Sequence, residues 1–356
     1  MKVALVTDTH FGARSDNLAF DRFFAKFYDE CFFPYLEKEG IKTICHLGDV
    51  FDRRKYINYN ILSSCKKYFF NKARDLGIEI HLIPGNHDTY FKNTNEVNSP
   101  SLLLGEYNNI TIYEEPTVVQ LDREKVLMLP WICTDNYEQT METIKTTDAK
   151  TCFSHLELTG FLLVPGMPNL HGMDPDIFSE LDLVVSGHFH HRHSRGNVTY
   201  MGNPYEITWS DYNDPRGFAI YDTGERTLAY HDNPFRLFYK IYYDDSHFEG
   251  VNDISNFDFD RIVGGSVKLI VSKKTDFKRF DHFVDKLYQC SLIDLKIIED
   301  FSEFEDEAIG EDVNLEDTMT LLKEYVDVVE TDLNKQRIKI YYRAFILRLK
   351  TLHDNI

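Results

Sequence analysis

Short apolar runs rich in β-branched residues recur through the first half of the chain, at Val3 to Val6, Ile41 to Leu47, Ile78 to Ile83, Thr151 to Ser154 and Leu181 to Val185. Runs this short, without polar alternation, predict strands buried on both faces. Between the first three lie two longer amphipathic stretches, Leu18 to Leu36 and Ile57 to Leu76. The first opens behind a candidate cap at Asp16 or Asn17 and the second is followed by Gly77, so both predict helices. Strands alternating with helices indicate an α/β sheet, where ligands gather beyond the carboxyl ends of the strands.

The pattern changes after about Asn233. Ser266 to Ser272 predicts a strand, Asp276 to Gln289 an amphipathic helix, and Leu292 to Ile298 a second strand. Glu299 to Asp317 is then dense in carboxylates and holds no Lys or Arg, which reads as a solvated, flexible linker. Beyond it, Leu315, Met319, Leu322, Val326 and Val329 alternate steps of four and three behind an Asn314 cap with Asp317 three residues on. Ile338, Tyr342, Phe345, Leu349 and Leu352 continue a similar seam after a polar turn, on a helix made basic by Lys335, Arg337, Lys339, Arg343, Arg348 and Lys350. A helical hairpin with two apolar faces is predicted, too small to carry its own core and so expected to dock on something. The expected organisation is a main domain over residues 1–235, a small α/β unit over 236–298, an acidic linker over 299–312 and the hairpin over 313–356.

Composition narrows the setting. At 356 residues the chain exceeds one ordinary core. Six cysteines without C-x-x-C spacing, several inside apolar runs, read as free thiols in a reducing compartment. No apolar stretch nears the roughly 18 residues of a spanning helix, and the first residues form a strand rather than a leader, so a soluble cytoplasmic protein is expected.

The chemistry lies in five polar segments, one after each apolar run: Asp8-Thr9-His10, Gly48-Asp49-Val50-Phe51-Asp52, Gly85-Asn86-His87-Asp88, His155, and Gly187-His188-Phe189-His190. A divalent pair needs hard carboxylate and amide oxygens with borderline imidazoles, and Asp8, His10, Asp49, Asn86, His155, His188 and His190 supply that mixture. Two ions about 3.5–4 Å apart would clamp a phosphate and activate a water, so phosphoester hydrolysis is the expected reaction. His191 and His193 read as solvent- or substrate-facing rather than as ligands.

In their order and spacing the five segments resemble the calcineurin-like metallophosphoesterase superfamily, whose pattern runs D-x-H, GD-x-x-D, GNHD, a lone His and GH-x-H. The resemblance implies an α/β (α+β) fold, a β-sandwich flanked by helices. It implies one metal held by Asp8, His10 and His190, another by Asn86, His155 and His188, and Asp49 bridging them. His87 would protonate the leaving oxygen or stabilise transition-state charge, oriented by Asp52. Phe11-Gly12, Val50-Phe51-Asp52-Arg53-Arg54, Tyr200-Met201-Gly202-Asn203-Pro204 and Asn213-Asp214-Pro215-Arg216-Gly217-Phe218 are similar to the SbcD-type DNA-repair nucleases, above all the compact recombination nuclease subunits of T-even-like phages. That subfamily implies two divalent ions, Mn²⁺ with Mg²⁺ less effective, DNA as substrate and a homodimer. It also implies a capping domain over the DNA-facing side and an SbcC-type ABC ATPase partner bound through the hairpin. Asn203 departs from the family's usual Ser or Thr and is expected to touch substrate-loop geometry rather than the metals.

A formal net charge of −19 opposes uniform contact with DNA, so affinity must be local or borrowed from the partner. Local candidates are Arg14, Arg53, Arg54, Lys55, Arg192 and Arg195; the alternative is that they pair with nearby carboxylates. Competing readings of the chain are a non-catalytic adaptor on the same fold, which would show decayed ligand residues, and a phosphatase or cyclic-nucleotide phosphodiesterase, which would leave the hairpin without a role.

Overall fold

The computed structural model describes residues 1–164, 166–245 and 257–298. The expected linker and hairpin lie outside the described residues. Every predicted apolar run of the first half forms a strand, but two sheets result rather than one. In the first, β1 (Lys2–Val6), β2 (Thr43–His46), β3 (Glu79–Leu82) and β4 (Ile110–Ile112) run parallel. The second is built on β5 (Thr117–Leu121), β6 (Glu124–Leu129), β7 (Thr151–His155), β10 (Leu183–Gly187), β11 (His193–Arg195) and β12 (Val198–Tyr200), with β8 (Leu162–Val164) and β9 (Met167–Pro168) as a separate ribbon. β13 (Gly217–Asp222) and β14 (Thr227–Asp232) return to the first sheet, giving the orders β14-β13-β1-β2-β3-β4 and β11-β12-β10-β7-β6-β5.

Strand alternation explains why β1 carries no polar residue between Val3 and Val6. Val3 and Leu5 join Phe153, Val185 and Tyr221 in the core between the sheets, whereas Ala4 and Val6 join the outer core under the helices. Both faces are therefore buried, and the architecture is the sandwich that the family resemblance implies.

The two predicted helices form, and each contains a π-helical turn. Leu18–Phe27 runs through Tyr28–Phe32 into Phe33–Glu39, and Tyr59–Cys65 runs through Lys66–Phe70 into Asn71–Asp75. The Asn17 side chain accepts from the Ala19 N–H and the Asn58 side chain from the Asn60 N–H, while Gly40 closes the first helix at a φ of 67°. A π turn holds one residue more than an α turn, which brings extra side chains to the same face. Here these are Tyr28 and Phe32 facing Tyr68, Phe69 and Phe70, with Tyr28 stacked on Tyr68 at 5.7 Å. An apolar stripe read at regular helical spacing does not reveal such a turn.

Phe11, next to His10, plugs into this cluster with ring centroids 5.6 Å from Tyr68 and 5.9 Å from Phe69. The D-x-H segment is thereby fastened to the helical layer.

A third, three-stranded parallel sheet contains β15 (Phe238–Asp244), β16 (Ser266–Lys273) and β17 (Asp294–Ile298), in that order, with the helix Phe277–Gln289. It has its own core around Tyr243, Leu269, Phe280 and Phe283. The predicted strands and helix of this region are present; β15 was not predicted, because Tyr239, Lys240 and Tyr242 mask its apolar character. Its start is fixed by the buried Glu206 carboxylate, which accepts the N–H groups of Leu237 at 2.6 Å and Phe238 at 2.9 Å. Among the described residues no helix is long and apolar enough to cross a membrane, and all six cysteines are free.

Phe11→Ala should cost about 3–5 kcal/mol, as truncation of a well-packed aromatic does. Urea unfolding of the two proteins checks it; a loss below about 1 kcal/mol would mean that Phe11 does not anchor its segment.

Candidate metal centre

The polar segments lie at the carboxyl ends of parallel strands, and in three of the five the chain turns through an uncommon backbone conformation. Asp8, His10, Asp49 and His188 all have positive φ, at 51°, 42°, 53° and 87°. Such positions cost on the order of 1 kcal/mol or more and persist only where the surroundings over-determine them. Backbone hydrogen bonds do so here: Asp8 N–H donates to the Gly48 carbonyl at 3.0 Å, His10 N–H to Asp49 at 3.1 Å and Phe11 N–H to Val50 at 2.9 Å. A Cβ at Gly85 would collide with the Asp49 carboxylate, so the two turns can close on each other only with glycine there.

The seven predicted ligands meet at this edge in two adjoining groups. Asp8, His10 and His190 form one; Asp49, His155 and His188 form the other, the donor atoms within each group lying within 4.8 Å of one another. The Asn86 side-chain oxygen joins the second, 3.0 Å from His155 Nε2 and 2.9 Å from His188 Nδ1. Asp49 spans both, its Oδ2 lying 3.7 Å from His10 Nε2 and 3.4 Å from His155 Nε2. The donor set fits a divalent pair on structural grounds. Carboxylate, amide oxygen and imidazole nitrogens converge, and the Nε2 atoms of His10 and His190 face each other at 3.1 Å.

Hydrogen bonds at the far nitrogens set the tautomers. His155 Nδ1 donates to the Leu47 carbonyl at 2.7 Å, which leaves Nε2 toward Asn86 and Asp49. Burial works against charge on Asp49, yet the imidazoles of His155 and His87 hold it well below the usual carboxylate range. Burial also disfavours a charged His155, but Asp49 outweighs it and lifts the imidazole to about 9. Burial pushes His10 well below its ordinary value and His188 down to about 3, with neighbouring imidazoles adding to the effect. Both are neutral with lone pairs to give.

His87 stands beside the two groups, 4.9 Å from His10 between ring centroids. Its Nδ1 donates to the main-chain carbonyl of Asp52 at 2.6 Å, not to the Asp52 carboxylate, which lies 3.6 Å from His10 Nδ1. Asp52 therefore orients His87 through its backbone. Burial works against a proton on His87, but Asp49 and Asp52 more than compensate and its pKa is raised.

The predicted cations divide. Arg53 pairs with Asp16 at 2.7 Å and Arg192 with Asp232 at 2.8 Å, the intramolecular alternative for both. Arg14 lies 5.8 Å from the Phe20 ring, and Arg195 donates to the Gly160 carbonyl at 3.4 Å. Arg54 is half-buried with one guanidinium N–H group sequestered and unpartnered, and its charge acts on His87; Lys55 is exposed. His191 and His193, both partly exposed, stand outside the two donor groups: His191 Nδ1 pairs with Asp214 at 2.8 Å, and His193 Nε2 accepts the Leu162 N–H at 2.8 Å.

Three further residues support the site without having been singled out. Asp88 accepts from the N–H groups of Gly85 at 2.9 Å, Val50 at 3.0 Å and Phe51 at 3.2 Å, locking the second and third segments together. Its place as the last residue of Gly85-Asn86-His87-Asp88 was the available signal, since a carboxylate among tight turns finds free N–H donors. Trp131 packs against His188 at 5.3 Å and His155 at 6.1 Å, for which the sequence held no cue. The third is Arg216.

The match to known proteins agrees with this geometry. Residues 1–192 match the family model described as calcineurin-like phosphoesterase. The chain belongs to that family. It is a metallophosphoesterase and thus a hydrolase, of a family that uses divalent metals. Among curated proteins it is 33% identical over 310 residues to exonuclease subunit 1 of Enterobacteria phage T4, covering 86% of this chain and 87% of that one. Among solved structures, a novel archaeal phosphodiesterase is 16% identical with a TM-score of 0.32, over 65% of this chain and 99% of that one. A hypothetical protein from Thermus thermophilus is 12% identical with a TM-score of 0.34, over 66% of this chain and 100% of that one.

Within this metallophosphoesterase, Arg216 lies behind His190 with a side chain only 4% exposed. It pairs with Asp211 at 3.0 Å and Asp214 at 2.8 Å, and its Nη1 donates to the His190 carbonyl and to Asn203 Oδ1. Asn203 N–H reaches the same carbonyl at 3.4 Å. Asn203 thus contacts the main chain of a proposed ligand rather than its imidazole. Arg216→Met should weaken Mn²⁺ binding by about 10–100-fold, as loss of a residue supporting a ligand does. Calorimetric titration measures it, and an unchanged isotherm would remove Arg216 from the support of His190.

Proposed function

We propose that the protein is a metal-dependent DNA nuclease, the catalytic subunit of a nuclease–ATPase complex that processes DNA in recombination and repair. The observation that carries the reading is the pair of donor groups sharing Asp49, with His87 poised beside them. The nuclease function extends to this chain from its likeness to a phage exonuclease subunit. Ions held by Asp8, His10 and His190 and by Asn86, His155 and His188, with Asp49 common to both, would neutralise phosphate charge and lower the pKa of the attacking water. Mn²⁺, with Mg²⁺ second, suits this mixture of oxygens and imidazoles.

The chain's own residues do the rest. With Nδ1 donating to the Asp52 carbonyl, His87 presents Nε2 outward. The carboxylates of Asp49 and Asp52 favour a proton on His87, which would be available to the departing sugar oxygen. Arg54 and Lys55 are the cations left to contact DNA phosphates. Residues 236–298 would cap the DNA-facing side of the site. The apolar seams of residues 313–356 would bind the coiled coil of an SbcC-type ATPase, and the enzyme would work as a cytoplasmic homodimer.

His87→Ala should keep full metal content while turnover on linear DNA with Mn²⁺ falls by roughly 10²–10⁴-fold. Metal analysis beside a nuclease assay decides, with EDTA as the control; undiminished cleavage would take His87 out of the mechanism. Leu322→Asp with Leu349→Asp in the full chain should abolish co-purification with the ATPase subunit. Retained capture would sink the hairpin as the docking element.

A further inference from the structure

Next to His87 the chain holds apolar rings out in solvent. Tyr90 is 42% exposed and Phe91 is 46% exposed, packed edge-to-face at 4.8 Å. From the segment after Asp52, Tyr56 is 65% exposed. The loop carrying Tyr90 and Phe91 is anchored: Tyr90 N–H donates to Val97 at 2.8 Å, Ser99 N–H to Asp88 at 2.8 Å, and Asp135 N–H to Asn93 at 3.0 Å. Fixed backbone and exposed rings coincide three and four residues after the proposed acid.

Burying each ring would stabilise the fold by about 1.5–3 kcal/mol, so nothing in packing explains their placement. Isolated exposed aromatics are ordinary. These, however, have cations beside them: Lys55 lies near Tyr90 at 5.9 Å, and Arg53, itself paired with Asp16, lies over Tyr56 at 4.9 Å. Rings that offer π-faces, flanked by positive charge, match a nucleotide strand, whose bases stack while its phosphates meet the cations. An apolar peptide would gain nothing from the cations, and a paired duplex keeps its base faces covered.

We infer that Tyr90 and Phe91, with Tyr56 and Lys55 at the rim, form a shelf on which an unpaired base next to the scissile phosphate stacks, making them specificity-determining residues of the site. The inference rests on the nuclease reading above. The shelf selects strand ends and single strands whose bases are already free, because only those offer a face without the cost of unpairing.

The test compares wild type with a Tyr90→Ala, Phe91→Ala double variant, using Mn²⁺ and two single-stranded oligonucleotides, one normal and one abasic around the cleavage point. Wild type should prefer the normal strand by roughly 5- to 150-fold in kcat/KM, the range expected for one stacked base. The double variant should lose that preference, and the exchange Tyr90→Phe with Phe91→Tyr, which keeps both rings, should restore it. Equal preference in wild type and double variant, or none in wild type, overturns the shelf. Failure of the nuclease reading looks different: wild type would hydrolyse bis(p-nitrophenyl) phosphate but neither oligonucleotide, and the shelf would fall with it.

Discussion

The site depends on keeping the Asp49 carboxylate charged at the closed edge between two sheets, where it is 2% exposed. Removing a carboxylate from water costs several kcal/mol unless partners replace the lost hydration. Asp49 Oδ1 accepts the His87 N–H at 2.7 Å, and the imidazoles around it supply positive charge. The same arrangement dictates the neighbouring sequence. Gly85 must lack a side chain for its turn to approach the carboxylate, Asp88 must occupy the N–H groups of Val50 and Phe51, and His155 must be turned by Leu47. Bound divalent ions would supply positive charge at the same carboxylate.

Rigidity comes from the aromatic layer behind the site. Phe11 continues directly from His10 into the cluster of Tyr28, Tyr68 and Phe69, and Tyr205 donates to the Thr9 carbonyl at 2.6 Å. The left-handed turns at Asp8 and His10 are thus clamped on one side by strand hydrogen bonds and on the other by close-packed rings. The two π turns are what bring enough rings to that layer.

The site was legible in the sequence to the extent that its residues lie at the ends of short apolar strands. Period-two burial and parallel pairing bring Val6, His46, Leu82, His155 and Gly187 to one edge, so the segments that follow must converge. Features that depend on pairing across the fold were not legible. Nothing local distinguishes Arg53 and Arg192, bound to Asp16 and Asp232, from Arg54, since their partners come from other elements. The backbone role of Asp52 was hidden for a related reason: a motif names a side chain, whereas the contact that fixes His87 uses the carbonyl. The π turns escaped because a residue inserted into a helical stripe looks like a small lapse in period. β15 escaped because its exposed tyrosines and lysine resemble loop residues.

The negative charge of the whole chain then bears on when the site can receive a phosphate. At physiological salt, charges beyond about 8 Å are largely screened, so the surface acids matter less than those at the centre itself. There, Asp8 and Asp49 would repel a phosphodiester until metal binds, with Arg54 and Lys55 as the local counterweight. Two divalent ions, as proposed for this centre, would bring four positive charges against those two carboxylates and invert the local potential. Metal occupancy would then govern substrate approach as well as chemistry. On the proposed reading an acidic protein could handle DNA without a basic surface: affinity would arise where the loaded centre, two cations and a stacking contact coincide.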